Sequence, residues 1–217
     1  YLDSTGKLPT TSARGADSLM VLTDAASGFI HLEPVVGKTA GAMTKAFKAG
    51  VTWFRDKGVA VQKLRLDNEV SNEMRQAAKG HRLELELCPP GNHRANAAER
   101  HIRTVKDHLT SILATTDSSF PDDAWDLLLP QVELTLNLLR GCRHDRSISA
   151  WQSLAGPWDF RARPIAPLGV KVLIYESREE RRSWDPHGKE GWYLGPATEH
   201  YRCYMVLVES TRGVRVT

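Results

Sequence analysis

Leu64-Arg65-Leu66-Asp67-Asn68-Glu69, read together with Pro89-Pro90-Gly91-Asn92-His93-Arg94-Ala95-Asn96-Ala97-Ala98-Glu99-Arg100, decides how the chain is read. The first stretch sets a carboxylate, Asp67, at the end of a short apolar run. The second sets Glu99 at the opening of a long amphipathic segment. A third acid, Asp3, lies in Leu2-Asp3-Ser4-Thr5-Gly6 at the chain start. Hard divalent cations such as Mg²⁺ need anionic oxygens converging from rigid supports. Three carboxylates on three separate elements therefore point to a metal-dependent phosphoryl-transfer site, although spacing alone makes this a weak signal.

Working outward, Ser18 to Thr23 reads as a buried strand and Phe29 to Pro34 as an alternating one. The turn-forming Asp24-Ala25-Ala26-Ser27-Gly28 between them predicts a hairpin. Thr39 caps a helix expected through about Lys57, and Gly58 ends it. A strand around Gln62 to Leu66, a helix from about Val70 to Lys79 and a strand from Leu83 to Cys88 follow, with Pro89-Pro90-Gly91 stopping the last. In the next helix Ala98, Ile102, Val105, Leu109, Ile112 and Leu113 form an apolar stripe. At roughly 100° per residue, Glu99, Arg103 and Lys106 share one sector beside it. A further helix is expected from Pro121 to about Arg140, with Pro130 a kink or break. Strands alternating with helices after a hairpin argue for an α/β layered domain over 1–156. Pro157, Pro164 and Pro167 mark a linker at 157–168, and residues 169–217 read as a small all-β C-terminal module. Its strands are Val170 to Tyr175, Gly191 to Gly195 and Tyr201 to Val208.

A chain of 217 residues has room for one sizeable core and a small appendage. Its 41% hydrophobic and 25% charged residues are those of a globular protein. No apolar run approaches the roughly 20 residues of a membrane span, and Tyr1 to Thr10 lacks the pattern of a signal peptide, so a soluble, intracellular protein is expected. Cys88, Cys142 and Cys203 are odd in number and far apart, which argues against both a disulfide framework and a zinc site. The net charge of +3 does not by itself imply nucleic acid. However, Arg140, Arg143, Arg146, Arg161 and Arg163 crowd one region, and such a band suits phosphates about as well as a solvated face.

Taken together, Asp3-Ser4-Thr5-Gly6, Asp67-Asn68 and Ala98-Glu99-Arg100 resemble the Asp-x-Thr-Gly, Asp-Asn and Ala-Glu-Arg motifs of the integrase catalytic core of retroviruses and LTR retrotransposons, most closely the copia-type elements. Ala124-Trp125, Leu134 to Leu139, Ser149-Ala150-Trp151, Gly191 to Pro196 and Tyr201 to Tyr204 extend the resemblance over nearly the whole chain. It implies an RNase H-like fold, a mixed five-stranded sheet flanked by helices, and a DDE site of Asp3, Asp67 and Glu99. Those acids would be both catalytic residues and ligands of two Mg²⁺ or Mn²⁺ ions. The implied activity is that of a polynucleotidyl transferase and endonuclease, which trims element DNA ends and inserts them into target DNA by in-line displacement at phosphorus. Double-stranded DNA, as element ends and target, is the implied partner, with Arg103 and Lys106 as DNA contacts. A homo-oligomer acting in the nucleus is also implied. The His/Cys zinc domain that precedes such cores is missing from this sequence, so a piece of a longer polyprotein is expected.

Other readings stand beside these. Asn96-Ala97-Ala98-Glu99 also fits a helix start, with Asn96 as N-cap. Asp24 is a rival first ligand whose turn setting predicts a structural role, and Glu69 and His93 are further loop candidates near the site. Trp192, Tyr193, Tyr201 and Tyr204 suit a small β core better than base stacking. At the level of function the alternatives are a non-catalytic DNA-binding or assembly module from a decayed or domesticated element, and an RNase H-like nuclease.

Overall fold

The computed structural model describes residues 1–67, 70–88 and 97–217. Asn68, Glu69 and the 89–96 stretch, with the expected Asn96 cap and His93, lie outside the described residues. The chain forms two compact units, Tyr1–His108 with Glu133–Pro157, and Leu109–Val132 with Trp158–Thr217.

The first unit is a mixed α/β assembly. β1 (Leu2–Ser4), β2 (Ser18–Thr23) and β3 (Ile30–Val35) form an antiparallel sheet in that order. β2 is its middle strand and is buried at every position, as an uninterrupted Leu-Met-Val-Leu run requires. The expected hairpin is present, with Thr23 opposite Ile30, and Asp24 holds its turn by accepting from the Ser27 N–H (2.7 Å) and hydroxyl (2.6 Å). Asp24 is thus occupied structurally, as its turn setting predicts.

Helix α1 (Ala40–Asp56) begins where expected: the Thr39 side chain accepts from the Ala42 N–H at 3.1 Å. It packs on β2 and β3. A Cβ on Gly50 would stand 2.6 Å from Leu22 Cδ2, so the close approach of helix to sheet depends on that glycine. β4 (Lys63–Leu66) and β5 (Glu84–Leu87) pair in parallel, joined by α2 (Asn72–Gly80), and β4 lies alongside β1. α2 starts at Asn72, two residues later than Val70, because Ser71 caps it with its hydroxyl accepting from the Met74 N–H.

α3 (Ala97–Leu113) carries Glu99 in its first turn. The helix expected over Pro121 to Arg140 is instead two elements, a 3-10 segment (Asp122–Leu128) and α4 (Leu129–Leu138). Pro130 falls in the first turn of α4, where its missing N–H costs no helical hydrogen bond, so the chain breaks there rather than kinking. Pro121 precedes the 3-10 segment instead of opening an α-helix. A short helix unforeseen in the sequence, α5 (Ala150–Ala155), starts at Ser149.

α4 also covers the free edge of β3. Asn137 accepts from the Ile30 N–H (2.9 Å) and donates to the Ile30 carbonyl (2.8 Å), while Glu133 accepts from the Leu32 N–H (2.9 Å). Two side chains four residues apart thereby stand in for a neighbouring strand. The same Glu133 meets His31 Nδ1 at 2.8 Å, and Glu33 meets Nε2 at 2.8 Å. The His31 ring stacks on Trp53 with centroids 4.2 Å apart.

In the second unit β6 (Lys171–Tyr175), β7 (Gly188–Pro196), β8 (Tyr204–Val208) and β9 (Val214–Val216) form an antiparallel sheet in chain order. Residues 109–132 belong to the same unit: the Tyr193 hydroxyl donates to Gln131 Oε1 at 2.8 Å, and the Trp192 and Phe120 rings meet edge to face. Trp192 and Tyr193 are buried. The strand expected from Tyr201 starts only at Tyr204, because Tyr201 and Arg202 sit in a turn with Arg202 at φ 54. Tyr201 is therefore exposed, outside any core.

Candidate functional site

Each of the three candidate acids is placed by a different element of the first unit. Asp3 lies on β1 opposite Val21 of β2. The Thr5 hydroxyl accepts from the Leu19 N–H at 2.9 Å, and the Thr5 N–H donates to the Leu19 carbonyl at 2.8 Å. The Thr of Asp-Ser-Thr-Gly thus serves to pin β1 to β2 beyond the last ladder pair. Asp67 follows directly on Leu66 at the end of β4, the strand beside β1. Glu99 is exposed in the first turn of α3, whose buried face in this unit is Ala98, His101 and Val105.

Asp67 and Glu99 both lie within electrostatic reach of Asp3. Burial raises the Asp3 carboxyl above its ordinary value, and the charges of Asp67 and Glu99 raise it further; its own Ser4 N–H, donated to Oδ1 at 2.7 Å, and Lys38 pull the other way. A half-buried acid repelled by two others is a donor set suited to a cation. Even so, among the described residues no group of three His, Cys, Asp or Glu side chains is arranged to hold a metal ion. The structure thus gathers the acids without drawing them into a ligand cage.

Arg103 and Lys106 are exposed on α3 beside Glu99. The Lys106 ammonium lies 4.0 Å from where a Cβ on Gly6 would stand, which places it over the segment that leaves β1. Two nearby groups escaped the sequence reading. Lys38, just before α1, lies within electrostatic reach of Asp3. His101 occupies the buried face of α3, with Nδ1 3.0 Å from the Thr23 hydroxyl. Burial, then Arg140, Arg143, the Tyr1 amino group and Arg100, push His101 down to about 4, so it is neutral at physiological pH. Its signal was available, since 98, 101 and 105 follow the three-four spacing of a buried helix face.

The mixed α/β fold of the chain is similar to that of solved integrase catalytic cores. One solved structure with which the chain shares it is the catalytic core domain of BIV integrase, at TM-score 0.51 and 17% identity, over 70% of this chain and 90% of that one. A chain of the cryo-EM structure of simian T-cell lymphotropic virus intasome in complex with PP2A regulatory subunit B56 gamma is similar over 99% of this chain and 73% of that one. Its TM-score is 0.56 and its identity 17%. No family model and no curated protein matches the chain.

Proposed function

We propose that the chain is the catalytic core of a DDE-type integrase, of copia-type LTR retrotransposon ancestry, which joins element DNA ends to target DNA. The observation that carries this reading is that Asp67, at the end of β4 beside β1, and Glu99, at the start of α3, both lie within electrostatic reach of the half-buried Asp3 on β1. The strand relations support it: three antiparallel strands, a parallel pair, and β1 beside β4 are what an RNase H-like mixed sheet would need.

Asp3, Asp67 and Glu99 would hold two Mg²⁺ or Mn²⁺ ions. When bound, these ions supply an activated water or 3′-hydroxyl and stabilise the leaving 3′ oxygen during in-line displacement. The protein's own contribution is positioning. β1 and the end of β4 carry two of the carboxylates on neighbouring strands, and Glu99, in the first turn of α3, would supply the third. Arg103 and Lys106, on the same sector of α3, would take DNA phosphates, contacts that set register rather than sequence preference. Double-stranded DNA is the proposed partner, a homo-oligomer the working form and the nucleus the site of action. Among the described residues no helix is long and apolar enough to cross a membrane.

The test is a Mg²⁺- or Mn²⁺-dependent strand-transfer assay with a pre-trimmed duplex, run beside Glu99→Gln, on this chain and on an N-terminally extended form. Joined products that vanish in the variant are expected. Cutting without joining would replace the reading by an RNase H-like nuclease. Neither activity in folded protein that still binds DNA would replace it by a non-catalytic DNA-binding or assembly module.

A further inference from the structure

Away from the Arg103 and Lys106 sector, the first unit gathers a second set of cations at the β2–β3 turn. The Arg143 N–H donates to the Ser27 carbonyl at 2.9 Å, its guanidinium reaches the Ala25 carbonyl at 3.4 Å, and its Cβ lies 3.8 Å from where a Cβ on Gly28 would stand. His144 Nδ1 adds a contact to the Ala26 carbonyl at 3.1 Å. The segment after α4 is therefore fastened along the turn. Arg140, at the head of that segment, is anchored through its carbonyl, which accepts from the Ala150 N–H at 2.8 Å.

Arg140 is half-buried, close enough to Arg143 to feel its charge, and its Nε–H is buried with no hydrogen-bond partner. Arg140, Arg143 and Arg100 all lie within electrostatic reach of the His101 ring. Among the described residues none of the three forms an ion pair with an acid. Asp24 in the turn and Asp145 just after Arg143 are engaged locally, Asp24 by Ser27 and Asp145 by the Ser147 N–H (2.9 Å) and hydroxyl (2.6 Å). Like charges brought together, one of them with an orphaned buried donor, destabilise a fold unless an anion joins them. A guanidinium fork matches the tetrahedral oxygens of phosphate.

We propose that Arg140 and Arg143, with Arg100 beside them, form a phosphate-binding site at the β2–β3 turn, distinct from the Arg103 and Lys106 sector. At roughly 100° per residue Arg100 leaves α3 about 60° from Arg103 and about 120° from Lys106, on the edge of that sector away from Lys106, and it is Arg140 and Arg143 on another element that set this site apart. On the integrase reading, on which this part of the inference rests, the occupant is a backbone phosphate of a nucleic acid. A free phosphate group shares that chemistry.

Both sources are tested in the Glu99→Gln background, so that only binding is read. Inorganic phosphate should raise the melting temperature more than chloride at matched ionic strength, and Arg143→Gln or Arg140→Lys should abolish that excess. Arg143→Gln is a surface change that leaves the core alone, and Arg140→Lys keeps the charge while removing the fork. Binding of a labelled duplex should weaken at least about tenfold in Arg140→Gln/Arg143→Gln. Its salt slope should fall by about two, additively with Arg103→Gln. A phosphate effect without any change in DNA binding would assign the site to a small phosphate-bearing ligand. Phosphate and chloride acting alike, with DNA affinity and salt slope unchanged in the double variant, would overturn the proposal. Failure of strand transfer alone would sink only the integrase reading.

Discussion

Raising the pH should loosen the first unit through one histidine. Burial alone would push His31 down, but its hydrogen bonds to Glu133 and Glu33, and the charges of those acids, together carry it from the ordinary 6.5 up to about 9. A histidine whose folded value is raised stabilises the fold fully below its unfolded value, and that stability is lost as pH climbs through the folded value. The window therefore runs from pH 6.5 to about 9. At about 1.36 kcal/mol per pH unit, the loss across it is on the order of 3 kcal/mol. Because Glu133 also accepts from the Leu32 N–H, the weakening should spread to the contact between β3 and α4. The assay is urea unfolding of wild type and His31→Gln at pH 6, 7.5 and 9.5 with fixed ionic strength. Differencing the two proteins removes the titration of every other group. The wild-type advantage should shrink steadily with pH and vanish near the top of the range. An advantage that stays flat from pH 6 to 9.5 would refute the charged His31 clamp.

Asn137→Ala removes both side-chain bonds to Ile30 at the covered strand edge. It should cost on the order of 2 to 4 kcal/mol in urea unfolding, because two buried backbone groups lose their partners; a cost below about 1 kcal/mol would mean the edge is not held this way. In the second unit, a Cβ on Gly191 would stand 2.5 Å from the Leu207 carbonyl oxygen and 2.8 Å from Ile174 Cδ1. Gly191→Ala should therefore cost about 1 to 3 kcal/mol, whereas Gly80→Ala, which meets nothing within 4 Å, should be close to neutral in the same thermal melts. Burial, with the charges of Asp67 and Glu99, holds the Asp3 carboxyl high, so its ionisation opposes folding as pH rises through the raised value. Asp3→Asn should thus raise the melting temperature in EDTA at neutral pH, while Mg²⁺ should stabilise wild type and leave the variant unmoved. A lower melting temperature for Asp3→Asn in EDTA would contradict the repulsion argument.

What could be read from the sequence alone was local. The Leu-Met-Val-Leu run marked β2, the Asp-to-Gly turn marked the hairpin, Thr39 marked the start of α1, and Pro130 marked the end of one helical element and the start of the next. Each depends on a residue's own backbone preferences and its neighbours within about one turn. Asp3, Asp67 and Glu99 were picked out as candidates by their places at element ends and by the resemblance of their motifs to the integrase core. Boundaries slipped where a hydroxyl outcompeted periodicity, at Ser71, or where a bulky residue took a positive φ, at Arg202, and the short helix capped by Ser149 was missed altogether. Only the tertiary structure decided what faces what. Glu133 and Asn137 read as ordinary helix residues until α4 met an edge strand some 100 positions away in sequence. Likewise, the ionisation of His31, the repulsion of Asp3 by Asp67 and Glu99, and the orphaned Nε of Arg140 arise from burial and from charges on other elements. The physical reason is range: backbone preference acts over a few residues, whereas desolvation and charge act through space and exist only once the chain has folded.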